Sequence, residues 1–184
     1  MCIRDRACVA GLVAADVVAG TFDMASLNGG RAGDVAPAAT NQLGFLPAGL
    51  AANLAVRRAA FDAIGGFSED LVVGEDIDLC WRLQLEGYRF SVAPGAVVAK
   101  RDPPDLGALF GRALAYGRCG PKLYRRYRRR GAHRDLGGTA RSWAWLVVAL
   151  PRLGRASVRR RWVRALGVRL GRLIGSVGER VFFP

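Results

Sequence analysis

The chain has 184 residues and is 51% apolar, enough for one domain with a real core and barely enough for two, which excludes a disordered tail. Its net charge of +13 is lopsided: residues 1–100 carry 8 Lys/Arg against 11 Asp/Glu, and residues 101–184 carry 20 against 4. An anionic partner, nucleic acid or an anionic membrane surface, therefore concerns the second part alone. A single histidine, His133, and four cysteines (Cys2, Cys8, Cys80, Cys119) with no CxxC pair argue against a zinc site and read as reduced cytosolic thiols.

Met1–Arg6, MCIRDR, leads into a mixed stretch with no clean apolar centre for a secretory signal. It does not read as part of a fold. Residues 1–8 are expected to be an unstructured, non-native start, a translated cloning or assembly scar, which would make the chain a fragment. Val13–Ala19, VAADVVA, is β-branched and apolar enough for a strand. Gly20 to Gly44, rich in Gly, Ala, Asn and Pro, reads as a long loop of the kind that serves as a lid or binding loop. Ala52–Arg58 predicts a short strand, and a short helix through Phe61 and Ile64 follows until Gly65-Gly66 breaks it. From Glu75 to Glu86 the apolar Ile77, Leu79, Cys80, Leu83 and Leu85 predict an amphipathic helix closed by Gly87. Tyr88–Ala93 and Ala96–Ala99 read as two strands turning at Pro94-Gly95. This alternation predicts an α/β fold.

After Pro103-Pro104 the character changes. Leu106 to Tyr127 is helical in pattern and runs into the basic stretch Arg125–Arg130. Trp143–Leu150, apolar and closed by Pro151, is too short to cross a bilayer, which takes about 20 residues. Arg155–Val177 is the last predicted helix. Trp162, Leu166, Leu170, Leu173 and Val177 fall on one face at helical pitch, with Arg160, Arg161, Arg164 and Arg172 opposite. Gly167, Gly171 and Gly175 form a stripe that permits close approach by a neighbouring helix. Two readings stay open for this helix: it lies in a membrane interface with arginines near lipid phosphates, or it packs on its own domain.

GEDIDLCWRL, Gly74–Leu83, places Glu75, Asp76 and Asp78 at a helix start. Acids there ordinarily serve the cap and the macrodipole, and Asp78 can pair with Arg82 at i,i+4. Taken alone, the triplet reads as structural. Read with its surroundings, residues 50–101 resemble the acceptor-side half of inverting family 2 glycosyltransferases, which have a GT-A fold. Asn53 to Arg58 is similar to that family's Asn-x-Ala-x-Arg-Arg strand, and Gly65-Gly66-Phe67 to its Gly-Gly-Phe turn. Glu75-Asp76 with Asp78, Leu79 and Arg82 is similar to its Glu-Asp helix start, and Gly87-Tyr88 to the pair that closes that helix.

The resemblance implies a partial GT-A domain over residues 9–102, with a mixed Rossmann-like sheet, followed by a basic helical region over 103–184. It implies sugar transfer from a nucleotide-sugar donor to a saccharide or lipid-linked acceptor of the cell envelope or an exopolysaccharide. Inversion requires the acceptor hydroxyl to lose its proton as it attacks, and a carboxylate within about 3 Å can take it. Following the Glu-Asp pattern, Asp76 is the expected base; Glu75 would orient the acceptor or support Asp76, and Asp78 with Arg82 would brace the helix beside the substrate. Asn53, Gly65 and Gly66 join the expected substrate-binding set. Arg57 and Arg58 would reach donor phosphates. Trp81 reads as core rather than as a sugar platform.

Two departures limit the resemblance. Asp16 and Asp23 are isolated, no Asp-x-Asp precedes the loop, and Asp76-Ile77-Asp78 stands in the wrong place for one. Lys100 occupies the place where many members carry a metal-binding histidine; it would instead meet the leaving diphosphate as a point charge. A divalent metal, Mg or Mn, is implied for the whole enzyme with its ligands mostly outside this chain, and no metal ligand is assigned here. The fragment alone is expected to be inactive. The implied location is cytoplasmic, at the inner face of the membrane if the last helix binds lipid. A nucleic-acid module is the competing reading, but Trp143, Trp145 and Trp162 fall on apolar faces rather than on a basic one, so nucleic acid is not the expected partner. A scaffold without activity is the third.

Overall fold

Val17–Asp23 (β1) is buried from Val17 through Phe22, as an apolar strand covered on both faces must be. The structure, a computed structural model, describes residues 3–28 and 35–184. Leu54–Val56 (β5) runs antiparallel to the first half of β1, with Val17 opposite Val56. Val35–Pro37 (β2) runs antiparallel to its second half, with Thr21 opposite Pro37. Phe90–Ala99 (β6) pairs with β1 in parallel, so the sheet is mixed. Ala39–Thr40 (β3) and Ala48–Gly49 (β4) make a separate small ladder. The helices of residues 1–102 are Ile3–Ala14 (α1), Arg58–Ala63 (α2) and Glu75–Leu85 (α3).

Several expectations are corrected. Residues 3–8 are not unstructured: they open α1, which packs on β1 and β6 and buries Cys8. The predicted strand Val13–Ala19 is split, because α1 runs through Val13 to Ala14 and β1 begins at Val17. A short apolar run does not distinguish helix from strand by periodicity; here Gly11 admits Val18, whose Cγ1 would lie 2.9 Å from a Cβ at that position. The predicted loop Gly20–Gly44 carries the end of β1 and all of β2 and β3, while its residues 29–34 lie outside the described ones. The strand expected over Ala52–Arg58 shrinks to β5, preceded by a 3-10 turn at Ala51–Asn53 and followed at once by α2.

Pro94-Gly95 does not turn the chain. It bulges within a single strand β6, whose register to β1 jumps between Ala19 opposite Val92 and Thr21 opposite Val97. Thr21 Oγ1 donates to the Pro94 carbonyl at 3.0 Å, and Asn53 Nδ2 donates to the Ala96 carbonyl at 2.7 Å and the Thr21 carbonyl at 2.8 Å. Gly20 sits at the break, where any Cβ would run into the Asn53 amide and the Ala96 carbonyl. The bulge is thus filled and bonded.

The chain divides into two compact units, Met1–Asp102 and Pro103–Pro184. The second consists of Leu106–Tyr127 (α4), Leu136–Val148 (α5) and Ala156–Gly178 (α6). Asp105 and Asp135 cap α4 and α5 by accepting from the Ala108 and Gly138 N–H groups. Gly167 and Gly171 are the buried residues of α6. A Cβ on Gly171 would lie 2.9 Å from Gly117 Cα and closer still to the Leu114 carbonyl, so the glycine stripe is what lets α6 meet α4 backbone to backbone. The expected apolar face divides: Trp162 donates to the Leu146 carbonyl at 2.8 Å, while Val177 is 81% exposed. Arg172, expected opposite that face, stacks on the Phe183 ring at 5.0 Å, and burial pushes its guanidinium down to about 10. No helix among the described residues is long and apolar enough to cross a membrane.

Candidate active site

Gly74, left-handed at φ +83°, turns the chain into α3 and leaves the first-turn acids at its N-terminus. Asp76 is half-exposed. Its Oδ2 accepts from the Ala51 N–H at 2.8 Å and its Oδ1 from the Ile77 N–H at 2.8 Å. A carboxylate oxygen has two lone pairs, so each keeps one for a further donor. Glu75 is also half-exposed, and its side chain has no hydrogen bond or ion pair among the described residues.

Asp78 is a different kind of acid. It is fully buried, and its Oδ2 accepts from Ser68 Oγ at 2.6 Å and Arg82 Nε at 2.7 Å. Arg82 continues the network by donating to the carbonyls of Ile64 and Gly66. Those carbonyls face it because Gly65 and Gly66 are both left-handed, at φ +75° and +71°. The bracing role expected of Asp78 and Arg82 is what their bonds provide. The Asp78 carboxylate is sealed from solvent, while the Arg82 side chain keeps 23% of its surface exposed. The Gly-Gly pair owes its composition to this turn and to Phe61, whose ring would lie 3.0 Å from a Cβ on Gly66.

The remaining residues sort by where they face. Asn53 is buried and both its amide hydrogens hold the β6 bulge, so it supports the sheet rather than a ligand. Arg57 turns away from the α3 start: it donates to the carbonyls of Leu12 and Ala15 at the end of α1 and pairs with Asp16 at 3.3 Å. The Arg57 side chain stays 46% exposed. Arg58 is exposed, with Nε on Asp62 Oδ2 at 2.7 Å. Lys100 lies over the Phe22 ring at 4.5 Å. Asp23 ties the end of β1 to its loop by accepting from the Ser26 hydroxyl and the Ala25 and Ser26 N–H groups; the Ser26 hydroxyl bond contributes most to lowering its pKa.

One arrangement has no motif in the sequence to announce it. Asp76, Cys80 and Gln84, at i, i+4 and i+8 on α3, each bond the segment running antiparallel beside it. Asp76 takes the Ala51 N–H, Cys80 Sγ takes the Gly49 N–H at 3.3 Å, and Gln84 Nε2 donates to the Pro47 carbonyl at 2.7 Å. Trp81 adds a bond from Nε1 to the Leu46 carbonyl at 2.7 Å and an edge-to-face contact with Phe45 at 5.1 Å, so it is core. Burial pushes the Cys80 thiol up to about 12. The four-residue spacing on α3 was visible in the sequence, but nothing in Leu46–Ala51 announced its backbone as the partner.

A cavity of about 310 Å³ opens next to this seam. Leu54, Val56, Phe61 and Phe67 line it, with Leu79 from α3. Ala51, the residue bonded to Asp76, and Arg58 complete its wall. Among the described residues no group of three or more His, Cys, Asp or Glu could hold a metal ion. Asp78 is committed to Ser68 and Arg82, and Asp23 to its own loop.

Residues 21–171 match the family described as Glycosyl transferase family group 2. Pre-mycofactocin glycosyltransferases from two strains of Mycobacterium tuberculosis (CDC 1551 / Oshkosh and ATCC 25618 / H37Rv) are each 33% identical to this chain over 99 residues. The alignment covers 54% of this chain and 21% of each relative, so the matched part spans about a fifth of their length. No solved structure gives a significant match.

Proposed function

The chain belongs to glycosyl transferase family group 2, and from that membership we propose that Met1–Asp102 is the acceptor-side part of a GT-A domain in which Asp76 is the general base of an inverting sugar transfer. The acceptor hydroxyl gives its proton to the Asp76 carboxylate while its oxygen attacks the anomeric carbon of a nucleotide sugar. The bond from that carbon to the nucleotide diphosphate breaks as the new one forms, on the opposite face of the ring. No step here runs through the groups that hold the donor diphosphate or through any metal on it.

One observation carries this reading. Of the three first-turn acids, Asp76 alone is both fixed by two N–H groups and partly open to solvent. A base must sit still within hydrogen-bond reach of the proton it takes. Asp78 is fixed but sealed, and Glu75 is open but unheld.

The test is Asp76→Asn in the whole protein. The amide oxygen still accepts from the Ala51 N–H while the Ile77 N–H loses its acceptor, so the melting temperature should fall only slightly, and donor binding should be unchanged. Transfer should fall by about 10²–10⁴-fold, the usual contribution of a general base. Normal transfer by Asp76→Asn with loss in Glu75→Gln would move the base to Glu75. Full activity in both would leave Asp76 as a rung of the α3 seam alone. For Pro103–Pro184 we infer a role at an anionic membrane surface on the cytoplasmic side, because Leu173, Ile174, Val177 and Phe182 are exposed in a unit that also presents Arg159, Arg161, Arg164 and Arg180 to solvent.

A further inference from the structure

The cavity beside α3 is built of the wrong material for a bare sugar. A saccharide presents a hydroxyl on nearly every carbon, and burying each without a partner is costly. Yet the lining offers Leu54, Val56, Phe61, Phe67 and Leu79, with Arg58 as the single charged side chain. Phe61 and Phe67 stand edge to face at 5.4 Å, and Phe67 remains 44% exposed. The Gly65-Gly66 turn keeps this aromatic pair in place, since a Cβ on Gly66 would press on the Phe61 ring. At about 310 Å³ the cavity is at the lower end of the range for small-molecule sites.

Position ties it to the chemistry. Ala51 lines the cavity with its side and donates its N–H to Asp76, and Leu79 lies one turn from Asp76 along α3. A hydroxyl placed at Asp76 therefore has the apolar wall as its neighbour. Arg58 has Nε fixed by Asp62, and its terminal nitrogens hold no partner among the described residues. They can donate to an oxygen at the rim.

We propose that this cavity is an acceptor subsite for an apolar aglycone: the acceptor carries its reacting hydroxyl next to an aromatic ring or alkyl chain, which packs against Phe61, Phe67 and the β5 side chains. The proposal rests on Asp76 being the base, and it narrows the expected saccharide or lipid-linked acceptor to one whose reacting hydroxyl stands directly beside an apolar group.

Isothermal titration of the 184-residue chain with octyl β-glucoside, below its micelle concentration, and with methyl β-glucoside isolates the apolar term, because the two differ only in the alkyl chain. The octyl ligand should bind at least about tenfold tighter. Phe67→Ala should remove most of that advantage, and Val56→Thr, at a half-buried strand position where threonine is a good strand former, should reduce it. Equal affinities for the two glucosides would overturn the proposal. So would an octyl advantage untouched by either variant, which would place the chain on some other apolar surface. These titrations involve no donor and no proton transfer, so they can fail while Asp76→Asn still abolishes transfer, and the reverse.

Discussion

Arg82 enters α3 as a long flexible cation and ends with its side chain 23% exposed, its head held by one buried carboxylate and two carbonyls. Removing the carboxylate's charge leaves the guanidinium paired only with neutral acceptors, and leaves Ser68 facing an amide. Breaking a buried pair from one side costs about 3–5 kcal/mol. Asp78→Asn should therefore lower the urea midpoint of unfolding strongly, whereas Glu75→Gln one turn away should scarcely move it. A midpoint near that of the parent chain would mean that the network contributes little. The i,i+4 pairing of Asp78 with Arg82 was legible because both partners lie on one helix. Ser68 and the Gly66 carbonyl were not, since a turn brings them there. Cys80 supplies a second test at this scale. Burial raises its thiol from 9.0 to about 12, so between those values the folded chain keeps a proton that the unfolded chain releases. A group shifted upward stabilises below its unfolded value and loses that contribution as pH rises. The stability advantage of the parent chain over Cys80→Ala should thus be constant below about pH 9 and shrink above it. Urea midpoints read at stepped pH would show this, and a pH-independent difference would refute it.

Among the elements, helices with a cap and a long period were legible and short apolar segments were not. Leu106–Tyr127 coincides with its predicted range because Asp105 caps one end and twenty-odd residues of pattern fix the rest. β6 departs from expectation because Pro94-Gly95 is a turn signal that tertiary bonds override: Thr21 and Asn53 hold the Pro94 and Ala96 carbonyls that flank Gly95. The glycine stripe of α6 was readable as permission for close packing, but which glycines are indispensable depends on α4. That gives a contrast of sign. Gly111 lies in α4 with nothing within 4 Å of an added Cβ, so Gly111→Ala should stabilise by up to about 1 kcal/mol through helix propensity. Gly171→Ala gains the same propensity but drives its Cβ into the Leu114 carbonyl and to 2.9 Å from Gly117 Cα. Overpacking of that kind costs about 1–3 kcal/mol, so the variant should be destabilised. Thermal melts of the two proteins side by side decide it. If both are stabilised, the helices can separate slightly without penalty and the stripe is a matter of composition.

At the scale of the whole molecule, charge and chemistry are segregated. The first unit holds the Asp76 seam and its cavity; the second holds most of the arginines together with exposed Val177 and Phe182. The motifs that suggested a transferase were legible because they are local, whereas the cavity was not, since its lining comes from three separate stretches of sequence. A surface that mixes exposed arginines with apolar side chains should bind anionic bilayers through two separable terms. The electrostatic term weakens as the Debye length falls from about 10 Å at 0.1 M salt to about 3 Å at 1 M. The apolar term does not follow salt in that way. In co-sedimentation, the chain should bind phosphatidylserine-containing vesicles at low salt and neutral phosphatidylcholine vesicles far less, with the anionic binding largely lost near 1 M. Val177→Asp, at a side chain 81% exposed, should weaken binding at every salt concentration. Equal binding to both lipids would remove the electrostatic term. Unchanged binding by Val177→Asp would mean that the apolar end of α6 stays clear of the bilayer and that the arginines act alone.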